Sequence, residues 1–183
     1  MTKIMTCIVT IELCSEFSVD MRAEEVVIGK MESSIGGTSA QLRSGQIYNI
    51  WQLLHGLMLP SGNDASLALA VWGGRKLLEK EEELKSESKM LFKSDCSSKI
   101  ESTICSTNTI QSTKKRKKAD CYQRFLAEMN TKGRQLKMAK TNYANSHGLV
   151  NINNKSSAFD VAVLSEYALK NDIFRRVVST KKF

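Results

Sequence analysis

Apolar residues recur with helical spacing along most of this chain. Ile4, Ile8 and Ile11 mark Thr2 to Leu13 as a buried helix, although its β-branched content also suits a strand. Glu25 to Ile28 is a short strand candidate ended by Gly29, and Gly36-Gly37-Thr38-Ser39 and Ser44-Gly45 read as turns. Asn49 is placed to cap a helix running through Met58, with Ile50, Leu53, Leu54 and Leu57 on one face. Pro60, the only proline, ends it. A second helix is expected from Asn63 or Asp64 through Leu67, Leu69, Ala70 and Val71 to Gly73-Gly74, its acidic start matched to the helix dipole. A charged helical extension follows from Lys76 to about Leu84.

From Ser86 to Lys118 the pattern gives way to Ser, Thr and Lys. This predicts a largely disordered, low-complexity basic insertion at about 84–118 within a single domain. Order is expected to resume at Cys121-Tyr122, in an amphipathic helix through Phe125, Leu126 and Met129 to about Leu136. Asn142 to Asn154 reads as loop. Ser157-Ala158-Phe159-Asp160 resembles a capping box opening a helix with Val161, Val163, Leu164, Tyr167 and Leu169. Phe174 to Val178 reads as a short strand or final turn, and no internal repeat is present.

Composition narrows the class. With 183 residues, 42% hydrophobic and 25% charged, the chain can build one domain with a real core. Its net charge of +8 is uneven: between Leu84 and Lys118 nine Lys/Arg stand against three Asp/Glu, a net of +6. The basic excess therefore belongs to one segment, and no nucleic-acid partner is expected of the core. Lys114-Lys115-Arg116-Lys117-Lys118 fits a nuclear localisation pattern, but a solvated charge run is the preferred reading. No transmembrane segment is expected. Met1 to Leu13 lacks the basic start and cleavage site of a signal peptide. The five cysteines, Cys7, Cys14, Cys96, Cys105 and Cys121, form no Cys-x-x-Cys pair and are odd in number, which points to free thiols. His55 and His147 sit in unrelated contexts, so zinc is not expected.

The chemistry-bearing residues lie in four segments. Leu59-Pro60-Ser61-Gly62-Asn63-Asp64-Ala65 looks like a Ser-x-Asn box, and Thr2-Lys3-Ile4-Met5-Thr6 like the tail of a Ser-x-x-Lys box. Phe125 to Leu149, with Ala127-Glu128-Met129-Asn130 and Asn145-Ser146-His147-Gly148-Leu149, and Ser156 to Thr180, with Ala168-Leu169-Lys170-Asn171, follow in order. Together they resemble the serine-type D-alanyl-D-alanine carboxypeptidases, the low-molecular-weight penicillin-binding proteins of peptidase family S11. The resemblance covers nearly the whole chain except the insertion. It implies an α/β, penicillin-binding or serine β-lactamase-like transpeptidase fold, present here mainly as its helical portion. It also implies a hydrolase of D-Ala-D-Ala-terminated peptides, trapped by β-lactams, that needs neither metal nor organic cofactor.

By that resemblance Lys3 is the general base, Ser61 relays a proton to the leaving amine, and Asn63 positions substrate and lysine. Serine is a weak nucleophile until a base takes its proton, and a lysine one helical turn away can do so if its pKa is depressed. Counting back three from Lys3 places the attacking serine one residue before Met1, and the family's Lys-Thr-Gly box is expected beyond Phe183. The resemblance thus implies a copy truncated at both ends and inactive as it stands. Ser15, Ser33 and Ser34 lack a lysine three residues later and are rejected as substitutes. His147 is expected to shape the rim of the site and His55 to be structural. A non-catalytic binding protein derived from the fold is the alternative. A class A β-lactamase matches less well downstream.

Overall fold

The computed structural model describes residues 1–92 and 110–183. Its first element, α1 (Thr2–Glu16), is buried nearly all round, by Met5, Cys7, Ile8, Val9, Ile11, Leu13 and Cys14. That explains why its pattern suits helix and strand alike: no face is left for polar residues to mark. Buried Thr10 is accommodated by back-bonding, its Oγ1 donating to the Thr6 carbonyl at 2.8 Å. Cys7, Cys14 and Cys121 are free thiols. Burial raises the pKa of all three, that of Cys14 to about 12. Cys96 and Cys105 lie outside the described residues.

The described sheet is a two-stranded ribbon. β1 (Glu25–Val27) pairs antiparallel with β2 (Ile47–Asn49), Val26 opposite Tyr48. Between them come α2 (Lys30–Ser33) and a loop through Gly36-Gly37 that turns back to the start of α4. α3 (Ile50–Met58) begins directly after β2, with a complete capping box: Asn49 Oδ1 accepts from Gln52 N at 2.8 Å and Gln52 Oε1 from Asn49 N at 3.0 Å. Leu53, Leu54 and Leu57 bury the predicted face. His55 is also buried, its ring between the Trp51 carbonyl (2.8 Å) and Thr180 Oγ1 (3.2 Å) and stacked on Phe183.

Two expectations are corrected in the long helices. α4 (Asn63–Phe92) passes through Gly73-Gly74 without a break, and α5 (Ile110–Gln135) starts well before Cys121. The glycines are not stops. They let α5 approach: a Cβ at Gly73 would meet the Phe125 ring at 2.7 Å, and one at Gly74 would overlap the Cys121 backbone. Residues 84–92 and 110–118, expected to belong to a disordered insertion, are helical. Lysine and glutamate are good helix formers, and neighbouring helices pair their charges, Arg124 to Glu81 at 2.6 Å and Lys118 to Glu32 at 2.8 Å. Lys118, the end of the basic block, is thus engaged in an ion pair. The rest of the insertion, residues 93–109, lies outside the described residues.

α6 (Ala158–Lys170) is capped by Ser157, which accepts from Asp160 N. The reciprocal half of the capping box is not made by Asp160. Its carboxylate accepts instead from Lys140 N and Thr141 Oγ1, tying the loop after α5 to α6. Phe174 to Val178 is neither strand nor turn but lies within α7 (Asp172–Ser179). Asn171 caps it, and Phe174 and Val177, one helical turn apart, are buried while Arg175 and Arg176 face out. Among the described residues no helix is long and apolar enough to cross a membrane.

Candidate active site

Lys3 stands on the first turn of α1, half-buried, and its ammonium is held from two sides. Nζ donates to Asn63 Oδ1 and to the His147 carbonyl, both at 2.8 Å. A lysine can only donate, so the carbonyl side of the Asn63 amide must face it. The other side, Nδ2, donates to the Gly36 carbonyl at 2.7 Å. Both atoms of this fully buried amide are therefore used, and they join α1, α4 and the loop after α2. Burial lowers the pKa of Lys3, against the raising effect of the Asp64 charge. His147 is held below its ordinary value by burial and by the positive charge of Lys3, so its ring is neutral at pH 7.

The Ser61-Gly62-Asn63 turn is built by close approach. Ser61 has a left-handed backbone (φ 58°), is exposed, and its carbonyl accepts from Thr38 Oγ1. Among the described residues its hydroxyl makes no hydrogen bond. Gly62 is required by space: a Cβ there would lie 2.6 Å from the Gly56 carbonyl oxygen and 2.9 Å from Ala40 N. Asn63 N then donates to the Thr38 carbonyl at 2.8 Å. Asp64, also buried, collects the incoming loop. Its carboxylate accepts from Ser39 Oγ (2.7 Å), Ala40 N (2.9 Å), Leu42 N (3.1 Å) and its neighbour Ala65 N (2.9 Å). Burial acts to raise its pKa, but these donors prevail and hold it below the ordinary carboxylate value.

The third wall is the loop from Tyr143 to Leu149. Asn145 Oδ1 accepts from Gly148 N (2.7 Å) and Asn145 Nδ2 donates to the Leu149 carbonyl (2.9 Å), closing a tight loop that presents the His147 oxygen. Gly148 has a positive φ of 85° and lies against Thr2. The substitutes rejected from sequence are in helical settings: Ser15 lies in the last turn of α1, and the Ser33 and Ser34 hydroxyls bond back to the Lys30 and Met31 carbonyls. Among the described residues no group of three His, Cys, Asp or Glu side chains is placed to hold a metal ion.

The structure thus brings the half-buried Lys3 onto the asparagine of a Ser-Gly-Asn turn. A family model described as D-alanyl-D-alanine carboxypeptidase matches residues 1–76 and 104–182. The chain belongs to this peptidase family. It is similar to the D-alanyl-D-alanine carboxypeptidase DacF of Bacillus subtilis (strain 168), 24% identical over 180 residues, covering 98% of this chain and 34% of that protein. It is also similar to the D-alanyl-D-alanine carboxypeptidase of Streptomyces sp. (strain K15), 26% identical, covering all of this chain and 49% of that one. The crystal structure of the Streptomyces K15 DD-transpeptidase superposes with a TM-score of 0.68 at 28% identity, over 98% of this chain and 54% of the other. DacD from Francisella tularensis, at 22% identity and a TM-score of 0.65, shares the fold. The chain thus spans about a third to a half of the length of the curated relatives it matches. The fold is the penicillin-binding DD-peptidase type, with its helical portion predominant among the described residues.

Of the residues singled out from sequence, Lys3 and Asn63 are in direct contact, with Ser61 two residues away on the same turn. Sequence reading missed the two backbone oxygens, of Gly36 and His147, that complete the amide and ammonium contacts. Backbone groups leave no side-chain signature. The only trace of the first is the Gly36-Gly37 pair, which reads as a plain turn. A side chain at Gly37 would lie 2.6 Å from Asn63 Nδ2, so that glycine belongs to the site.

Proposed function

We propose that this chain carries the lysine-and-asparagine half of a serine-type D-Ala-D-Ala carboxypeptidase site. The observation that carries the reading is the Lys3 ammonium, held between Asn63 Oδ1 and the His147 carbonyl in a setting that lowers its pKa. Burial favours the neutral amine, the form that can take a proton from a serine hydroxyl. The serine oxygen then bonds to the carbonyl carbon between two D-alanines, and Ser61 passes a proton to the departing amine. Water hydrolyses the ester and releases the shortened peptide. Asn63 fixes the direction in which Lys3 presents its lone pair.

The attacking serine of this chemistry stands three residues before the lysine, a position ahead of Met1 in these 183 residues. A polypeptide limited to them is expected to bind without acylation. Incubated with a labelled penicillin it should carry no covalent label. Titrated with an acyl-D-Ala-D-Ala peptide, it should show nuclear magnetic resonance shifts centred on Lys3, Ser61 and Asn63, abolished in Asn63→Ala. A covalent label would overturn the first expectation. Peptide shifts elsewhere, or none, would overturn the assignment of the site.

A further inference from the structure

His147 meets Lys3 through its backbone oxygen, so no side chain at position 147 sets that contact. What sets it is the placement of the backbone there: the His147–Gly148 peptide, which carries the oxygen, and the buried Ser146 just before it. Ser146 is fully buried, and hydrogen bonds from three helices converge on it. Thr6 of α1 donates its hydroxyl to the Ser146 carbonyl at 2.7 Å. Ser66 of α4 donates to Ser146 Oγ at 3.0 Å, and Ser146 Oγ reaches back to the Ser66 carbonyl at 3.4 Å. The Ser146 N–H donates to the phenolic oxygen of Tyr122 on α5 at 3.1 Å. The amide, carbonyl and hydroxyl of one residue are thus engaged by three different elements, immediately before the oxygen that receives Lys3. On the other side, Gly148 is pressed against Thr2, where an added Cβ would lie 3.2 Å from the threonine hydroxyl.

Buried hydroxyl networks gain little stability over apolar groups of the same shape, whereas their directionality fixes geometry. From this convergence we infer that Ser146 and Tyr122 are positioning residues for Lys3. They hold the His147 carbonyl where it shares the ammonium with Asn63, and so they set how Lys3 points. The inference rests on the reading of Lys3 as the base of the site. It also explains how α5 acts on the site from a distance. The phenolic oxygen of Tyr122 accepts from Ser146, next to the residue whose carbonyl receives Lys3, while Asn130 of the same helix holds Tyr143 at the start of that loop.

The test follows the carbon-13 shifts of the His147 carbonyl and the Asn63 side-chain carbonyl while Lys3 is titrated in the 183-residue chain. Both should move with Lys3, and both responses should vanish in Lys3→Met. If neither does so, the reading of Lys3 fails and the inference with it. In Tyr122→Phe, which keeps the ring and removes the acceptor of the Ser146 amide, the Lys3-linked response at His147 should fall to less than about half, because hydrogen bonds weaken steeply with misalignment. The response at Asn63 should persist. A full His147 response in a folded Tyr122→Phe protein would overturn the positioning role and leave the Lys3 site standing. A merely structural tyrosine would lower the melting temperature and leave the His147 response untouched. Should Tyr122→Phe lose its dispersed spectrum, Ser66→Ala removes only the hydroxyl donor to Ser146 Oγ and is read in the same way.

Discussion

A Gly74→Ala variant is expected to lose about 3 kcal/mol or more of stability, a large share of the total for a domain of this size. The sign is opposite to what helix propensity alone gives, since alanine inside a helix is worth about 1 kcal/mol over glycine. Packing decides. A methyl group at Gly74 would overlap the Cys121 carbonyl oxygen and lie 2.5 Å from its carbonyl carbon. Those atoms are backbone and cannot rotate aside, so α5 would have to move away from α4. Moving it would pull Phe125, Leu126 and Met129 from the core. At Gly73 the obstacle is the Phe125 ring at 2.7 Å and Leu13 at 3.0 Å, side chains that can shift, so Gly73→Ala is expected to cost less. Urea unfolding followed by far-ultraviolet circular dichroism reads both. An unchanged or raised midpoint for Gly74→Ala would refute the packing account.

Asp64→Asn is expected to cost about 3 kcal/mol at pH 7, given the strength of hydrogen bonds to a buried charged acceptor. The change is nearly isosteric, yet it replaces one acceptor oxygen by a donor. Oδ1 serves Ala40 N and Ala65 N, and Oδ2 serves Ser39 Oγ and Leu42 N. Whichever way an asparagine amide turns, its NH2 group must face a backbone N–H. The pH dependence carries a definite sign. The folded pKa of Asp64 lies below the ordinary value of 3.8, so its contribution is full above that value and is lost as pH falls through the folded pKa. The gap between wild type and Asp64→Asn should therefore be constant from neutral pH down to about pH 5 and narrow at more acid pH. A gap independent of pH would show that the charge is not what holds the loop. Because Asp64 follows Asn63, the same variant should broaden the Lys3 and Asn63 resonances.

Where the sequence is legible, a local rule and the tertiary structure agree. Asn49 and Gln52 announce the start of α3, Pro60 its end, and Asn63-Asp64 the start of α4, because capping and proline chemistry act within a few residues. The candidate site is legible only as motifs in order: Lys3 and Asn63 lie sixty residues apart, and it is the fold that brings them into contact. Gly73-Gly74 misleads because two glycines in a row signal a break locally, whereas their use here depends on a partner helix some fifty residues away in sequence. Residues 84–92 and 110–118 mislead by composition. Low apolar content reads as insertion, yet lysine and glutamate are good helix formers and can continue a helix already begun. Phe174 to Val178 is too short for periodicity to separate strand from helix, and the Asn171 cap settles it.

The unbroken course of α4 sets a distance. Its 30 residues carry the chain roughly 45 Å along the helix axis from Asn63 to Phe92. Residues 93–109 are therefore attached at the opposite end of the helix from the turn that bears Ser61 and Asn63. Engineering can use this separation: an affinity handle joined at the Phe92 end of α4 would begin roughly 45 Å along the helix axis from that turn.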